Sequence, residues 1–162
     1  MKLYHASTVI IEKPDVKHSR DKLDFGRGFY LTVIREQAVR YAERFTLRGK
    51  DAYVNEYELD EVTDGFTTKH FPAYDEEWLD YVTICRRGQQ PAEIYDAVSG
   101  GVANDKVFNT VDLYFAGVIS KDEALGRLRY EKLNHQICIL NGKMLDRHLH
   151  FIKAESVGYG SK

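Results

Sequence analysis

Phe25-Gly26-Arg27-Gly28-Phe29-Tyr30-Leu31-Thr32 is the stretch on which the reading of this chain turns. Two glycines one residue apart mark a tight turn, and the apolar, aromatic run after them has the composition of a strand. Downstream, Ile34, Ala38, Tyr41, Ala42 and Phe45 recur at three- and four-residue steps. That spacing predicts a helix from Arg35 to about Arg48, with Gly49 as its stop. Taken alone, the glycine segment is a turn leading into a strand. It is not a dinucleotide or phosphate-loop fingerprint, because Gly26-Arg27-Gly28 precedes the strand instead of following one.

Working outward, Leu3 to Ser7 reads as a short first strand, joined to Leu23-Asp24-Phe25 by a polar connection over 12–22. Alternation from Ala52 to Leu59 puts Tyr53, Asn55, Tyr57 and Leu59 on one face of a strand, and a second strand over Phe66–Phe71 is expected to pair with it across Asp64-Gly65. Asp75 opens a helix to Arg87 with Trp78, Tyr81, Val82 and Cys85 inward, and Ile94–Val98 reads as a strand broken by Gly100-Gly101. A further helix starts at Asn104 or Asp105 with the stripe Val107, Phe108, Val111, Tyr114 and Phe115. Ser120-Lys121-Asp122-Glu123 is a capping box that predicts a helix to about Glu131. Gln136–Leu140 and Leu149–Ala154 read as strands, with a helical turn over Met144–His148. Without regular βαβ alternation, the class is mixed α+β.

The 162 residues suit one domain, taken as 1–155, with 156–162 as a flexible tail. Lys and Arg number 23 against 25 Asp and Glu, a net charge of −2, which argues against binding nucleic acid through bulk positive charge. Lys13, Lys17, His18, Arg20, Lys22 and Arg27 nonetheless form a local basic cluster. Cys85 and Cys138 lack the paired spacing of a metal site and read as buried thiols, so no metal is expected. The start of the chain has no signal-peptide pattern and no apolar run reaches the ~20 residues of a membrane span, so a soluble, cytoplasmic protein without a membrane partner is expected. Eleven Tyr against eight Phe and one Trp is a surplus that suits either a core with wet edges or a cleft for a planar ligand.

Three local features are candidates for chemistry: Tyr4-His5-Ala6-Ser7, Gly26-Arg27-Gly28-Phe29-Tyr30, and the polar-to-apolar step Asn134-His135-Gln136. Each alone has a plain structural reading. In this order they resemble the ADP-ribosyltransferase superfamily, in particular the branch of diphtheria toxin and the poly(ADP-ribose) polymerases. That branch has a His in an early Y-H-G-[ST] strand, a G-x-G-x-Y turn and strand, and an acid at the start of a later strand. It also has a second Tyr on the next helix, and here Tyr41 stands eleven residues after Tyr30. A looser resemblance is to small bacterial relatives of unknown function, some thought to be toxin components. The match covers residues 3–45 and, more loosely, 134–140.

The resemblance implies two small packed β-sheets flanked by helices, and NAD as substrate. It implies transfer of a single ADP-ribose to a protein or nucleic-acid target with release of nicotinamide, in a bacterial toxin component with an antitoxin as partner. Tyr30 and Tyr41 would sandwich the nicotinamide, His5 would hold a ribose hydroxyl, the backbone of Ala6 the carboxamide, and Arg20 or Arg27 the pyrophosphate, with Ser7 and Gly28 also among the NAD-binding residues. Three positions depart from the pattern. Ala6 replaces Gly, Ala38 replaces a Ser, and Gln136 stands where the acid is expected, with Glu131 upstream and Asn104 or Asp105 as an alternative source. A neutral Gln136 among the catalytic residues His5, Tyr30 and Gln136 predicts slow chemistry. The alternatives are an NAD glycohydrolase, a catalytically degenerate module that binds NAD or ADP-ribose, and an interaction domain whose tyrosines are core and interface.

Overall fold

A computed structural model describes residues 1–17, 23–102 and 105–158, with Asp105 described by its backbone alone. In chain order the elements are β1 (Lys2–Ser7), β2 (Phe29–Thr32), α1 (Arg35–Leu47), β3 (Tyr53–Leu59), β4 (Thr68–His70), α2 (Glu76–Arg86), β5 (Ala97–Gly100), α3 (Asp105–Phe115), α4 (Lys121–Leu128), β6 (Gln136–Ile139), α5 (Gly142–His148) and β7 (Leu149–Ser156). The class is mixed α+β, as the order of the elements in the sequence predicts.

The strands form one sheet, ordered β4-β5-β6-β2-β1-β3-β7, which corrects the expectation of two packed sheets. The join that unites them is thin. β1 and β3 share six register pairs, from Lys2 opposite Glu58 to Ser7 opposite Tyr53, whereas β1 and β2 share one, Tyr4 opposite Thr32. Beyond that pair the two strands have no register partners in each other, so the sheet is two halves hinged at a single point.

Three apolar cores follow from this division. One packs α2, α3 and α4 on β5 and β6 through Trp78, Leu79, Val82, Val107, Val111, Ala124, Leu128, Val98 and Cys138. A second sets α1 on β1 and β3 through Ala38, Val39, Ala42 and Val54. Tyr4 and Thr32 lie opposite each other, so their side chains share a face, and Tyr30 and Cys138 stand on that face too. The first two cores therefore flank the hinge on one side of the sheet. The third core, with Leu3, Phe29, Leu31, Tyr57 and Ile139, lies on the other face under α5.

Local signals hold where they are caps and stops. Asp75 accepts from the Trp78 N–H at 3.0 Å and Ser120 from the Glu123 N–H at 3.1 Å, while Gly49 takes a φ of 73° after α1. α4 ends at Leu128, a turn short of Glu131. Pairings that depend on distant chain differ more. β4 does not form a hairpin with β3; it pairs in parallel with β5 at the far edge of the sheet, with α2 as the crossover. The reason is Phe71, just after β4, which is buried among Phe25, Tyr81 and Trp78 and draws the strand to that half. β5 starts at Ala97 and not Ile94, whose side chain is 67% exposed. In α3, Val107 and Val111 are buried, but Phe108 and Phe115 face outward beneath the guanidinium groups of Arg86 and Arg87 at 4.3 and 5.1 Å. The chain is held beyond residue 155, since Ser156 pairs with Tyr53 and Val157 is buried, its N–H donating to Ala52 O at 2.9 Å.

Gly28 is required by proximity. A Cβ there would lie 2.5 Å from Cys138 Sγ and 2.7 Å from the Ile139 carbonyl, so β2 could not approach β6. Gly28→Ala is expected to destabilise the fold by about 1–3 kcal/mol, the usual cost of overpacking, and to lower the melting temperature by several degrees. A melting curve superimposable on that of the wild type would contradict this packing account.

Candidate functional site

Where β1 and β2 part beyond Tyr4 and Thr32, the gap between them opens into a cleft of about 1050 Å³. Its lining includes His5, Ala6, Ser7, Gly28, Tyr30, Tyr41 and Gln136, so these sequence candidates come together although they lie up to 131 positions apart in the chain. Arg20 and Asn104 lie outside the described residues, as do His18 and Lys22, and the side chain of Asp105 is likewise not described. Of the basic cluster, Lys13 lines the cleft; so does Arg44, which the sequence reading did not single out.

His5 spans the parting strands. Its Nδ1 lies 2.6 Å from the Tyr30 carbonyl, and its ring stacks on Phe29 with centroids 4.2 Å apart. A carbonyl only accepts, so Nδ1 carries the proton and Nε2 is left as an acceptor. Burial, partly opposed by that hydrogen bond, lowers the imidazole pKa from its ordinary 6.5 and keeps the ring neutral. Nε2 has no partner among the described residues, and no buried side-chain N or O among them lacks one, so Nε2 opens to the cleft.

Tyr30 and Tyr41 are held in different ways. The Tyr30 hydroxyl donates to Gly26 O at 2.6 Å and accepts from the Phe25 N–H at 3.0 Å, so the glycine turn fixes the ring. Burial, with Cys138 beside it, pushes this hydroxyl well above the usual tyrosine range, which makes it a wall and not a base. Tyr41 is 50% exposed on α1, with Phe45 edge-on and the Arg44 guanidinium 5.3 Å from its ring centre. One ring is rigid and deep; the other stands at the rim.

Gln136 opens β6 opposite Thr32 and also opposite Gly100. The residue before it, His135, has φ 49°, the one positive φ outside glycine among the described residues. Backbone in this region is sparsely populated and persists where its surroundings fix it. Here Asn134 supplies the fixing: its side chain accepts from the Val102 N–H at 2.8 Å and donates to Val102 O at 2.9 Å. Gln136 Nε2 donates to Gln37 Oε1 at 3.0 Å.

Several contacts that shape the cleft were not singled out in the sequence. Asn55, fully buried on β3, accepts from the Ile11 N–H at 2.9 Å and donates to His5 O at 3.3 Å, and the Tyr57 hydroxyl donates to Ile11 O. Together they pin the loop after β1, whose Val9, Ile10 and Ile11 form a wall of the cleft. The available signal was an Asn at a core-facing position of an alternating strand, since a buried amide must find partners. Arg86 bonds Asp24 at 3.4 Å and Asp112 at 3.0 Å, with its guanidinium over the ring of the cleft-lining Phe108. Cys85 and Cys138 are buried and unlinked, and no group of three metal-ligating side chains occurs among the described residues. Among those residues, no helix is long and apolar enough to cross a membrane.

The sequence profile of DUF3990, described as a protein of unknown function, matches residues 1–151. This chain belongs to the DUF3990 family. No curated protein and no solved structure matches it. The family span runs from β1 into β7 and so contains every cleft residue named above.

Because His5 binds a proton less readily when folded than when unfolded, folded stability is lost as pH falls below 6.5 and the unfolded chain takes up the proton. His5→Asn is expected to flatten this part of the melting-temperature profile between about pH 7.5 and pH 5. An unchanged slope in the variant would show that His5 is not held neutral.

Proposed function

We propose that this chain is an NAD-dependent mono-ADP-ribosyltransferase, transferring ADP-ribose from NAD to a macromolecular target and releasing nicotinamide. The observation that carries the reading is the convergence of His5, Tyr30, Tyr41 and Gln136 on one cleft at the parting of β1 and β2. The bond between ribose C1′ and the nicotinamide nitrogen breaks, and its electron pair leaves with the nicotinamide, whose ring becomes neutral. The oxocarbenium-like ribose is captured by a nucleophile that gives up a proton, with the target as acceptor in transfer and water in hydrolysis.

Each cleft residue has a part in this. Tyr30, immobilised through its hydroxyl, is a preformed stacking face for the leaving ring, and Tyr41 at the rim closes over the other side. Neutral His5 accepts from a ribose hydroxyl through Nε2. The backbone of Ala6 holds the carboxamide. Gln136 offers its side-chain oxygen to a second ribose hydroxyl without supplying charge, which makes bond cleavage slow. The same neutrality favours a second reading, an NAD glycohydrolase or a module that binds NAD or ADP-ribose without transfer. A toxin role with an antitoxin partner in the cytoplasm extends the proposal and rests on the resemblance alone.

Purified protein incubated with NAD and cell lysate is expected to release nicotinamide and to label a macromolecule. Tyr30→Ala is expected to weaken NAD binding roughly tenfold, the equivalent of losing about 1.4 kcal/mol of ring contact. Gln136→Ala is expected to slow release further while leaving NAD bound. Saturable NAD binding without nicotinamide release sinks the transferase and favours the binding module; unaltered binding in Tyr30→Ala sinks both.

A further inference from the structure

Four groups at the floor of the cleft form a directed chain. The Ile34 N–H, just before α1, donates to Thr32 Oγ1 at 3.1 Å; the Thr32 hydroxyl donates to Gln37 Oε1 at 2.8 Å; and Gln136 Nε2 donates to the same oxygen at 3.0 Å. Ile34 itself gives α1 no side-chain cap. Gln37 is fixed in the first turn of α1 by its own N–H on Ile34 O at 3.1 Å.

The direction of the chain is forced. Thr32 is only 4% exposed, so its hydroxyl proton needs an acceptor within the protein. Its oxygen already accepts from the Ile34 N–H, and the partner left to receive its proton is Gln37 Oε1. Turning the Gln37 amide over would aim an N–H₂ group at Thr32 and strand that proton. With the Gln37 oxygen facing inward, Gln136 must turn its N–H₂ toward Gln37, and its own Oε1 faces the cleft with no partner among the described residues.

We infer that Gln37 is a positioning residue: through Thr32 it carries the polarity of the Ile34 amide to Gln136, and so builds a site that demands an amide, not a carboxylate, at position 136. A carboxylate there would set oxygen against the Gln37 oxygen. Gln136 Oε1 and His5 Nε2 then both stand as neutral acceptors in the cleft lining, which suits a ligand that presents hydroxyl donors, such as a ribose, and disfavours a carboxylate or phosphate beside them. The choice of ligand rests on the NAD reading above; the hydrogen-bond chain does not.

Side-chain amide NMR on the ligand-free protein tests the chain directly. The Gln136 amide protons are expected to exchange slowly, to lose that protection in Gln37→Met, and to keep it in Gln37→Glu, whose carboxylate accepts both donors. Identical Gln136 signals in wild type and Gln37→Met would overturn the inference. With NAD, Gln37→Met is expected to lower kcat for nicotinamide release at least about tenfold with KM within about threefold, and Gln37→Glu to restore most of the rate. Gln37→Met should add nothing in a Gln136→Ala background, because the two residues act as one unit. Gln136→Glu is expected to lower both melting temperature and turnover; a gain in turnover would overturn the demand for an amide. If the wild type neither binds nor cleaves NAD, the functional reading fails while the amide signals still decide the chain.

Discussion

One hydrogen bond sits at the point on which this architecture depends: His5 Nδ1 to the Tyr30 carbonyl, at 2.6 Å. The backbone ladder between β1 and β2 consists of Tyr4 opposite Thr32, and immediately beyond it a side chain does what main-chain pairing no longer does. Continuing the ladder from His5 to Ser7 would close the gap and leave no cleft. Omitting the His5 bond would leave a buried carbonyl without its partner and the two halves joined by one pair. An imidazole both bridges the strands and keeps a ring nitrogen free for whatever enters between them.

The residues around this bridge are mostly neutral. His5 is uncharged through burial, Tyr30 keeps its proton, and Gln37 and Gln136 are amides. Of the charges in the lining, Glu12, Lys13, Asp15 and Arg44 stand in the loop after β1 and on α1, while Asp24, just ahead of the glycine turn, is paired with Arg86. Chemistry at the floor would therefore rest on shape and on oriented hydrogen-bond partners in a poorly solvated setting, where such dipoles act more strongly than in water.

The helices and most strands were legible because their causes are local. The apolar spacing of α1, the caps at Asp75 and Ser120 and the stop at Gly49 all act within a turn or two of chain. The pairing of β4 was not legible, because Phe71 chooses its core among residues far away in sequence. Nor was the union of the two half-sheets, which hangs on one register pair. Of the candidate site, His5, Tyr30 and Tyr41 were singled out through a family resemblance in their motifs and spacing, and the structure brings all three to one cleft. Gln37 could not: on a helix surface a glutamine looks like any solvated polar residue, and only the proton of Thr32 gives it a direction. Asn55 was visible as a polar residue in an apolar pattern, but apart from His5 O its partners lie in a loop without regular structure of its own.

The outer strand β7 has a consequence for the molecule's edges. Eight residues long, it borders the sheet with a full row of backbone groups available to another strand. Beside the exposed Ile152 stand polar residues that are tied down: Lys153 and Arg35 both bond Glu155, and His150 bonds Asp60 at 3.0 Å. Glu56 faces Lys153 and Tyr57 faces Phe151, so Ile152 is an extra residue in β7, and this register shift further disturbs the flatness of that border. Ion pairs that contribute little to folding stability thus act against edge-to-edge polymerisation, since a second strand laid on β7 would have to bury them.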